Sequence, residues 1–438
     1  MRLPFKNLIS VQGTLSIEPR RHNLADNFIV GLDIGTSSTR AVVGDFDEDD
    51  QLEIIGYGVA PSTGLRRGVV LNIEATLSSV TSAIESAELM SGREIHSCVL
   101  GISGANVESL NSRGVVAVAG KGREITSEDI ARVHEAAQAV SIPMDREILH
   151  VIPQTYTVDS QRGIRDPLHM MGVRLESEVH IITSSVTTTQ NLLKCVSRAG
   201  YKVDRKILGS LAAARSVLTA EEKDLGCLLL DIGGGTTDLI VFKEGSPWFT
   251  AAIPAGGMQV TNDISIMLSV LMDTAERMKR EAASCWTESV DPEELIAVPG
   301  IAGRESTEIP RRKLCSIVQP RMEEILLMAK DKVEKAGFLQ EIRGGIILTG
   351  GGAQLDGLAD LVESVFNVPA HVGIPRTVGG LGDEYRTPSF ATALGLVMLE
   401  ADEIVPPQAI ASQSGTRKER KHGSSLKNLA SWFKDKFV

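Results

Sequence analysis

Two stretches of the chain carry the same alternation of apolar and polar positions. Phe28 to Gly44 reads FIVGLDIGTSSTRAVVG, and Cys227 to Phe242 reads CLLLDIGGGTTDLIVF. In each, an apolar run of strand length ends in Asp-Ile-Gly, a small polar turn follows, and a second apolar run returns, which predicts a β-hairpin. Two copies of one hairpin far apart in the chain predict two similar α/β halves, each lending a turn to a shared cleft.

Helical periods fill much of the rest. Leu77, Val80, Ile84, Ala87 and Leu89 place a helix over Asn72 to Met90, and Ser127–Glu128–Asp129 opens another that runs to Ala139. His150 to Asp159 and Gly172 to Thr183 read as strands, the second alternating Val173, Leu175, Val179 and Ile181. A ββαββ-like insertion is therefore expected inside the first half. Further helices are expected over Thr187–Arg198, Ile207–Leu218, Asp263–Ser284, Arg312–Gly337, Leu355–Val365 and Ser389–Glu400, with 291–309 irregular. Gly344 to Gly352 (GGIILTGGG) reads as a buried strand entering a glycine turn. Residues 401–423 contain Pro406–Pro407 with several Ser and Gly and read as a polar linker.

Length and composition narrow the class. A chain of 438 residues exceeds what one core usually organises, and 42% apolar with 23% charged residues suits a soluble globular protein rather than a disordered one. The longest uncharged run, Gly245 to Asn262, contains Pro247 and Pro254, so it supplies no bilayer-crossing helix of about 20 residues. A net charge of −11 argues against general nucleic-acid binding. Residues 417–438 run the other way, with seven basic and two acidic side chains. Five cysteines (Cys98, Cys195, Cys227, Cys285, Cys315), odd in number and without a CxxC pair, read as buried thiols of a reducing cytosol. The first 27 residues hold no apolar stretch of signal-peptide length, which completes the expectation of a cytosolic protein.

The turns suggest a chemistry. A nucleoside triphosphate presents clustered anionic oxygens and usually a magnesium ion, so its site needs close backbone amides and a few carboxylates. In Gly35–Thr36–Ser37–Ser38 and Gly233–Gly234–Gly235–Thr236, absent or small side chains let amides and hydroxyls approach phosphate oxygens. Asp33 and Asp231 stand at strand ends, where carboxylates can hold magnesium-bound waters rather than the bare ion. Arg40 on the first return strand can meet a phosphate oxygen. Neither turn has Walker-loop spacing. Gly350–Gly351–Gly352 lets a backbone pass close to a purine, and Glu276 with Lys279, one turn apart, can bond ribose hydroxyls. Taken alone, such a hairpin is more often an ordinary tight turn than a phosphate site, and the Glu276/Lys279 pair is more often a solvated helix face. The order hairpin, hairpin, strand–glycine turn–helix favours nucleotide binding.

The three segments resemble the phosphate-1, phosphate-2 and adenosine motifs of the actin/Hsp70/sugar-kinase superfamily. Within it, Ile152-Pro-Gln-Thr-Tyr-Thr-Val-Asp159 and Gly163-Ile-Arg-Asp-Pro-Leu-His-Met-Met-Gly-Val-Arg-Leu-Glu176 resemble the insertion domain of the FtsA family of bacterial cell-division proteins. The resemblance implies an α/β, actin-like (ribonuclease H-like) two-half fold with an inserted SHS2-type subdomain 1C and a C-terminal amphipathic helix. Its parts would be an extension at 1–26, subdomain 1A at 27–90, 183–222 and 388–400, 1C at 91–182, 2A at 223–262 and 345–387, and 2B at 263–344. A linker at 401–423 and a helix at 424–438 would follow.

The resemblance further implies ATP and Mg2+ between the halves, with Gly256 and Gly257 beside the phosphate turns. It implies self-association into filaments, recruitment of later division proteins, and binding of the FtsZ C-terminal peptide by Lys313 and Arg321 on subdomain 2B. By the same likeness Thr188, with Gln190 nearby, takes the place of the residue that orients the attacking water in actin-like ATPases, so hydrolysis is expected to be slow or absent. A pilus-assembly relative with the same insertion, and a sugar-kinase-type enzyme, share this core and remain the alternatives.

The tail has its own pattern. Leu426, Leu429, Ala430, Phe433 and Phe437 recur at helical spacing, Lys434 flanks the stripe, Trp432 sits at its border, and Arg417, Lys418, Arg420 and Lys421 precede it. Fifteen residues give about 22 Å, too short to span about 30 Å of hydrocarbon, so an interfacial helix on anionic lipid is expected, and the resemblance implies that it holds the protein peripherally to the cytoplasmic membrane at the division septum. One copy should bind weakly, and a filament should gain by avidity.

Overall fold

The computed structural model describes residues 28–119, 121–300 and 305–404. The first hairpin forms as expected from β1 (Ile29–Ile34) and β2 (Ser38–Phe46), and β3 (Leu52–Pro61) continues the meander. A two-residue hairpin of β4 (Leu65–Arg66) and β5 (Val69–Val70) leads to α1 (Ile73–Ser91). Asn72 caps that helix by accepting the Ala75 amide at 3.1 Å, and Gly92 ends it with φ 67°. Strand β6 (Ser97–Ile102) then lies parallel to β1.

The insertion follows as β7 (Val107–Ala117), α2 (Ser127–Gln138), β8 (Arg146–Val158), β9 (Gln161–Ile164) and β10 (Arg174–Ser185). Its four strands run in the order β7-β10-β8-β9, with α2 packed on β7 and β10. A capping box of Thr126 and Asp129 starts α2. The chain re-enters the first half through α3 (Val186–Arg198), β11 (Lys202–Leu208), α4 (Gly209–Val217) and α5 (Ala220–Leu225).

The second half contains β12 (Cys227–Ile232), β13 (Thr237–Lys243), β14 (Ser246–Ile253), α6 (Gly257–Leu268), α7 (Met272–Ala282), the hairpin β15 (Leu295–Val298) with β16 (Thr307–Pro310), and α8 (Arg311–Lys335). It closes with β17 (Ile346–Thr349), α9 (Leu358–Phe366) and β18 (Ala370–Val372). Strand β19 (Gly379–Gly380) and α10 (Ala391–Ile404) return to the first half.

The duplication extends beyond the hairpins. One sheet runs β11-β6-β1-β2-β3-β19 and the other β14-β13-β12-β17-β18, so five strands of each half follow one path. Beneath the cleft, Leu208, Leu211, Ala213 and Ala214 share a core with Cys227, Leu229, Ile240 and Phe242. Helices α4 and α10 are buried nearly all round, the mark of helices enclosed by their domain. All five cysteines are buried thiols. Among the described residues no helix is long and apolar enough to cross a membrane.

Five sequence expectations need correction, the first being 291–309, which is not irregular throughout because it holds the β15–β16 hairpin. Ser97–Ile102 belongs to the first sheet, so the insertion starts after residue 102 rather than at 91, and its order is βαβββ. An isolated apolar run does not reveal which sheet takes it. Ile207 and Leu208 are strand, because they pair with Gly101 and Ile102 of β6 before α4 begins. The single helix expected over 263–284 is two, since Ser269 adopts a left-handed φ of 53° and Ser265 Oγ bonds the Val270 carbonyl at 2.7 Å. The segment 345–387 does not stay in the second half, because β19 pairs with β3.

Candidate functional site

The two hairpin turns meet face to face. Each is closed the same way, with the Gly35 amide on the Ser38 carbonyl at 3.1 Å and the Gly233 amide on the Thr236 carbonyl at 2.8 Å. Their approach requires glycine. A Cβ on Gly234 would lie 1.9 Å from Ser37 Oγ, and one on Gly235 would lie 2.7 Å from Thr36. The backbone amides of Thr36, Ser37, Gly234 and Gly235 find no acceptor among the described residues. Four unpaired N–H groups on two facing turns make a cradle for an anion.

Asp33 and Asp231 lie below the turns, each at the end of its half's central strand. Asp33 is opposite Arg40 across its hairpin, and Asp231 is opposite Asp238 at the same place in the other. Burial raises the Asp33 carboxyl, and Arg40 opposes the shift. Asp231 is pushed up to about 7 by burial and by the charges of Asp238 and Asp33, although Thr392 donates to it at 3.0 Å. Burial likewise takes Asp238 to about 6, against hydrogen bonds from the Gly104 amide and Thr236. Arg40 is enclosed beside these acids with its guanidinium over the Phe390 ring, and its Nε has no hydrogen-bond partner among the described residues.

Asp238 is absent from the sequence-level site. The available signal was its position in the repeat, seven residues after Asp231 as Arg40 is seven after Asp33.

Behind the second turn stands α6. The amides of Gly257 and Met258 donate to the carbonyls of Gly233 and Gly234 at 2.9 and 2.7 Å, and Gly256 is held by Gln259. The helix start therefore fixes the turn's carbonyls and leaves its amides to the cleft. Lys279 Nζ bonds the Gly257 carbonyl at 3.1 Å, Thr261 at 2.9 Å and Glu276 at 2.7 Å, so Glu276 and Lys279 join this end of α6 instead of forming a solvated pair. Gly350 (φ 81°) packs on Asp231, where a Cβ would stand 2.3 Å from Oδ1. Gly351 faces open space, and Gly352 packs on Ile232.

The position expected for Thr188 is corrected. Thr188 and Gln190 lie on α3, which packs against α1, with Cys195 Sγ 3.9 Å from the Ile73 carbonyl. The helix that begins at the cleft floor is α4. Its first residue, Gly209, abuts Ser103 and Thr392, the latter bonded to Asp231. Two helices follow the insertion in turn, and the likeness selected the one that lies away from the cleft.

On α8, Arg321 is bound to Asp263 at 2.5 Å and also pairs with Glu324, whereas Lys313 is exposed and makes no ion pair among the described residues. Leu426, Leu429, Trp432, Phe433, Lys434 and Phe437 of the tail, and the N-terminal extension, lie outside the described residues. Among the described residues no group of three or more acids, histidines or cysteines stands together as a metal-ligand set.

The fold is shared with distant structures. A PilM-PilN type IV pilus biogenesis complex chain matches with a TM-score of 0.61 at 18% identity over 86% of this chain and 99% of that one. MreB 5 of Spiroplasma citri bound to AMPPNP matches with a TM-score of 0.50 at 14% identity over 89% and 98%. In sequence, residues 228–395 match the family model described as cell division protein FtsA, and residues 104–183 match the SHS2 domain inserted in FtsA. Cell division protein FtsA of Borreliella burgdorferi is 45% identical over 94% of this chain and all of its own length. That of Pseudomonas aeruginosa is 46% identical over 84% and 88%, and that of Escherichia coli K12 35% over 93% and 98%. Similarity of that depth across almost the whole chain, with the duplicated cleft and the inserted sheet in place, means that the chain belongs to the FtsA family of cell division proteins.

Proposed function

We propose that this division protein binds ATP with Mg2+ between its two hairpins and uses the bound state to act as a self-associating tether, holding FtsZ to anionic lipid on the cytoplasmic face of the membrane. The observation that carries the nucleotide reading is the pair of facing turns with unpaired amides above two acids. Gly35, Thr36, Ser37, Gly233, Gly234, Gly235 and Thr236 would cradle the phosphates, Arg40 would supply a buried positive charge, and Gly256 and Gly257 would back the second turn. Glu276 and Lys279 would face the ribose and Gly350–Gly352 the purine. Magnesium would offset phosphate charge, with Asp33 and Asp231 holding its waters; the raised carboxyls fit a site completed by a cation.

Gly209 presents no side chain that could orient water, which supports ATP as a conformational ligand with slow turnover. Lys313, exposed on α8, suits an acidic FtsZ peptide, and the 424–438 segment suits lipid. Co-sedimentation of the full chain with anionic vesicles, with and without FtsZ, tests the tether. Vesicle-dependent pelleting of FtsZ that disappears on deleting Leu426–Val438 is the expected result, and pelleting unaffected by the deletion refutes it.

A further inference from the structure

By connectivity the insertion belongs to the first half, yet it rests on the second. Strand β14 is an edge of the second sheet, and an edge strand leaves backbone donors and acceptors without partners. Side chains of the insertion take them. Gln154 Nε2 donates to the Pro247 carbonyl at 2.9 Å, and Asn111 Nδ2 donates to the Trp248 carbonyl at 3.0 Å. The Ser109 hydroxyl donates to the Thr250 carbonyl at 2.7 Å and accepts the Thr250 amide at 3.0 Å.

His180 joins these contacts. Its ring, fully buried, stands 2.7 Å from Asn111 Oδ1 and 3.0 Å from Thr250 Oγ1. Because Asn111 Nδ2 serves Trp248, its oxygen faces His180 and only accepts, so Nδ1 carries the proton and Nε2 accepts from the Thr250 hydroxyl. Burial holds the imidazole neutral, with its pKa lowered to about 3.

We infer that this network is a latch through which the state of the cleft sets the position of the insertion, an inference that rests on the nucleotide reading above. Strand β14 is paired along its length with β13, whose turn with β12 is the second phosphate cradle. At the insertion's root, the Gly104 amide is bonded to Asp238 on β13. The insertion thus grips the second half at two places, root and edge. Two strand spacings put β14 about 10 Å from β12, so a rotation of the second half that opens the turns also moves the Ser109, Asn111 and His180 partners. Hydrogen bonds at 2.7–3.0 Å tolerate a shift of only about 0.5 Å before weakening. Nucleotide that closes the turns engages the latch, and its loss frees the insertion to swing.

Hydrogen exchange on the full chain, with and without ATP and Mg2+, tests this alongside a fluorescent-ATP titration. In the wild type, ATP should slow exchange at least tenfold in peptides covering 107–111 and 246–253. Thr250→Val should abolish that slowing in 107–111 and weaken ATP binding about three- to tenfold, by reciprocity of coupling, while Thr250→Ser, which keeps the hydroxyl, restores both. A wild type that binds ATP with unchanged exchange in these peptides overturns the latch alone. A wild type that does not bind ATP overturns the nucleotide reading, and the latch with it. If Thr250→Val does not fold, Ser109→Ala replaces it, with the same loss of ATP-dependent slowing expected and retained slowing counting against the latch.

Discussion

Asp238 Oδ1 accepts a hydrogen bond from the amide of Gly104 at 3.0 Å, joining the return strand of the second hairpin to the root of the insertion. The same carboxylate lies 3.4 Å from Thr236 Oγ1. One side chain thereby links the turn of the second hairpin to the root of the insertion in the opposite half.

Removing it should be felt in stability and binding together. Asp238→Ala strands a buried amide and a buried hydroxyl, which costs about 1–3 kcal/mol for each unmade bond. A lower melting temperature with ATP affinity down at least tenfold is expected from thermal denaturation and titration, whereas Asp238→Asn, which keeps an acceptor for Gly104, should lose less stability. Wild-type melting of the alanine variant would contradict the linking role.

The raised acids give a pH dependence of defined sign. Asp231 at about 7 and Asp238 at about 6 bind protons in the folded state that the unfolded chain, near 3.8, has released. Stability of the nucleotide-free protein should therefore be highest below about pH 4 for these two groups and fall as pH rises toward 7. Asp231→Asn should stabilise the free protein at pH 8 by about 1–3 kcal/mol, after loss of part of the Thr392 bond, and by little at pH 4.5. Denaturant unfolding at the two pH values decides it; equal effects at both would contradict the burial cost assigned to Asp231.

Contact between the turns can be tested by size. Gly234→Ala places a methyl 1.9 Å from Ser37 Oγ and should push the turns apart, lowering ATP affinity at least tenfold without changing the far-ultraviolet circular dichroism. Adding Ser37→Gly opens space for that methyl and should recover part of the loss. No loss in the single variant would mean that the turns need not meet.

Charge reversal on α8 should separate two residues the sequence treats alike. Lys313→Glu should weaken an acidic FtsZ tail peptide in anisotropy titrations and leave melting unchanged. Arg321→Glu should also lower the melting temperature, since it sets a third acid beside Asp263 and Glu324. Peptide affinity unaffected by Lys313→Glu would return that lysine to the ordinary solvated surface.

What the sequence revealed follows from the range of the interactions involved. The turns around Asp33 and Asp231, the helix start at Ser127 and the glycines at 350–352 were legible because local geometry dictates them. Asp238 was hidden because its role depends on Gly104, more than a hundred positions away, and an acid inside an apolar strand announces no partner. Gly209 was passed over because a residue that contributes no side chain gives periodicity nothing to read. Arg321 looked exposed in a helical pattern, while its partner Asp263 stands on α6. Strand β6 carried no mark of its sheet, which misplaced the start of the insertion.

The claim on which the account turns is that the two hairpins close over ATP. Titration of fluorescent ATP with Mg2+ into the full chain and its Asp231→Ala variant measures this directly. Saturable binding by the wild type, weakened at least tenfold in the variant, is the predicted result; no saturable binding, or equal affinity in the two proteins, would contradict it.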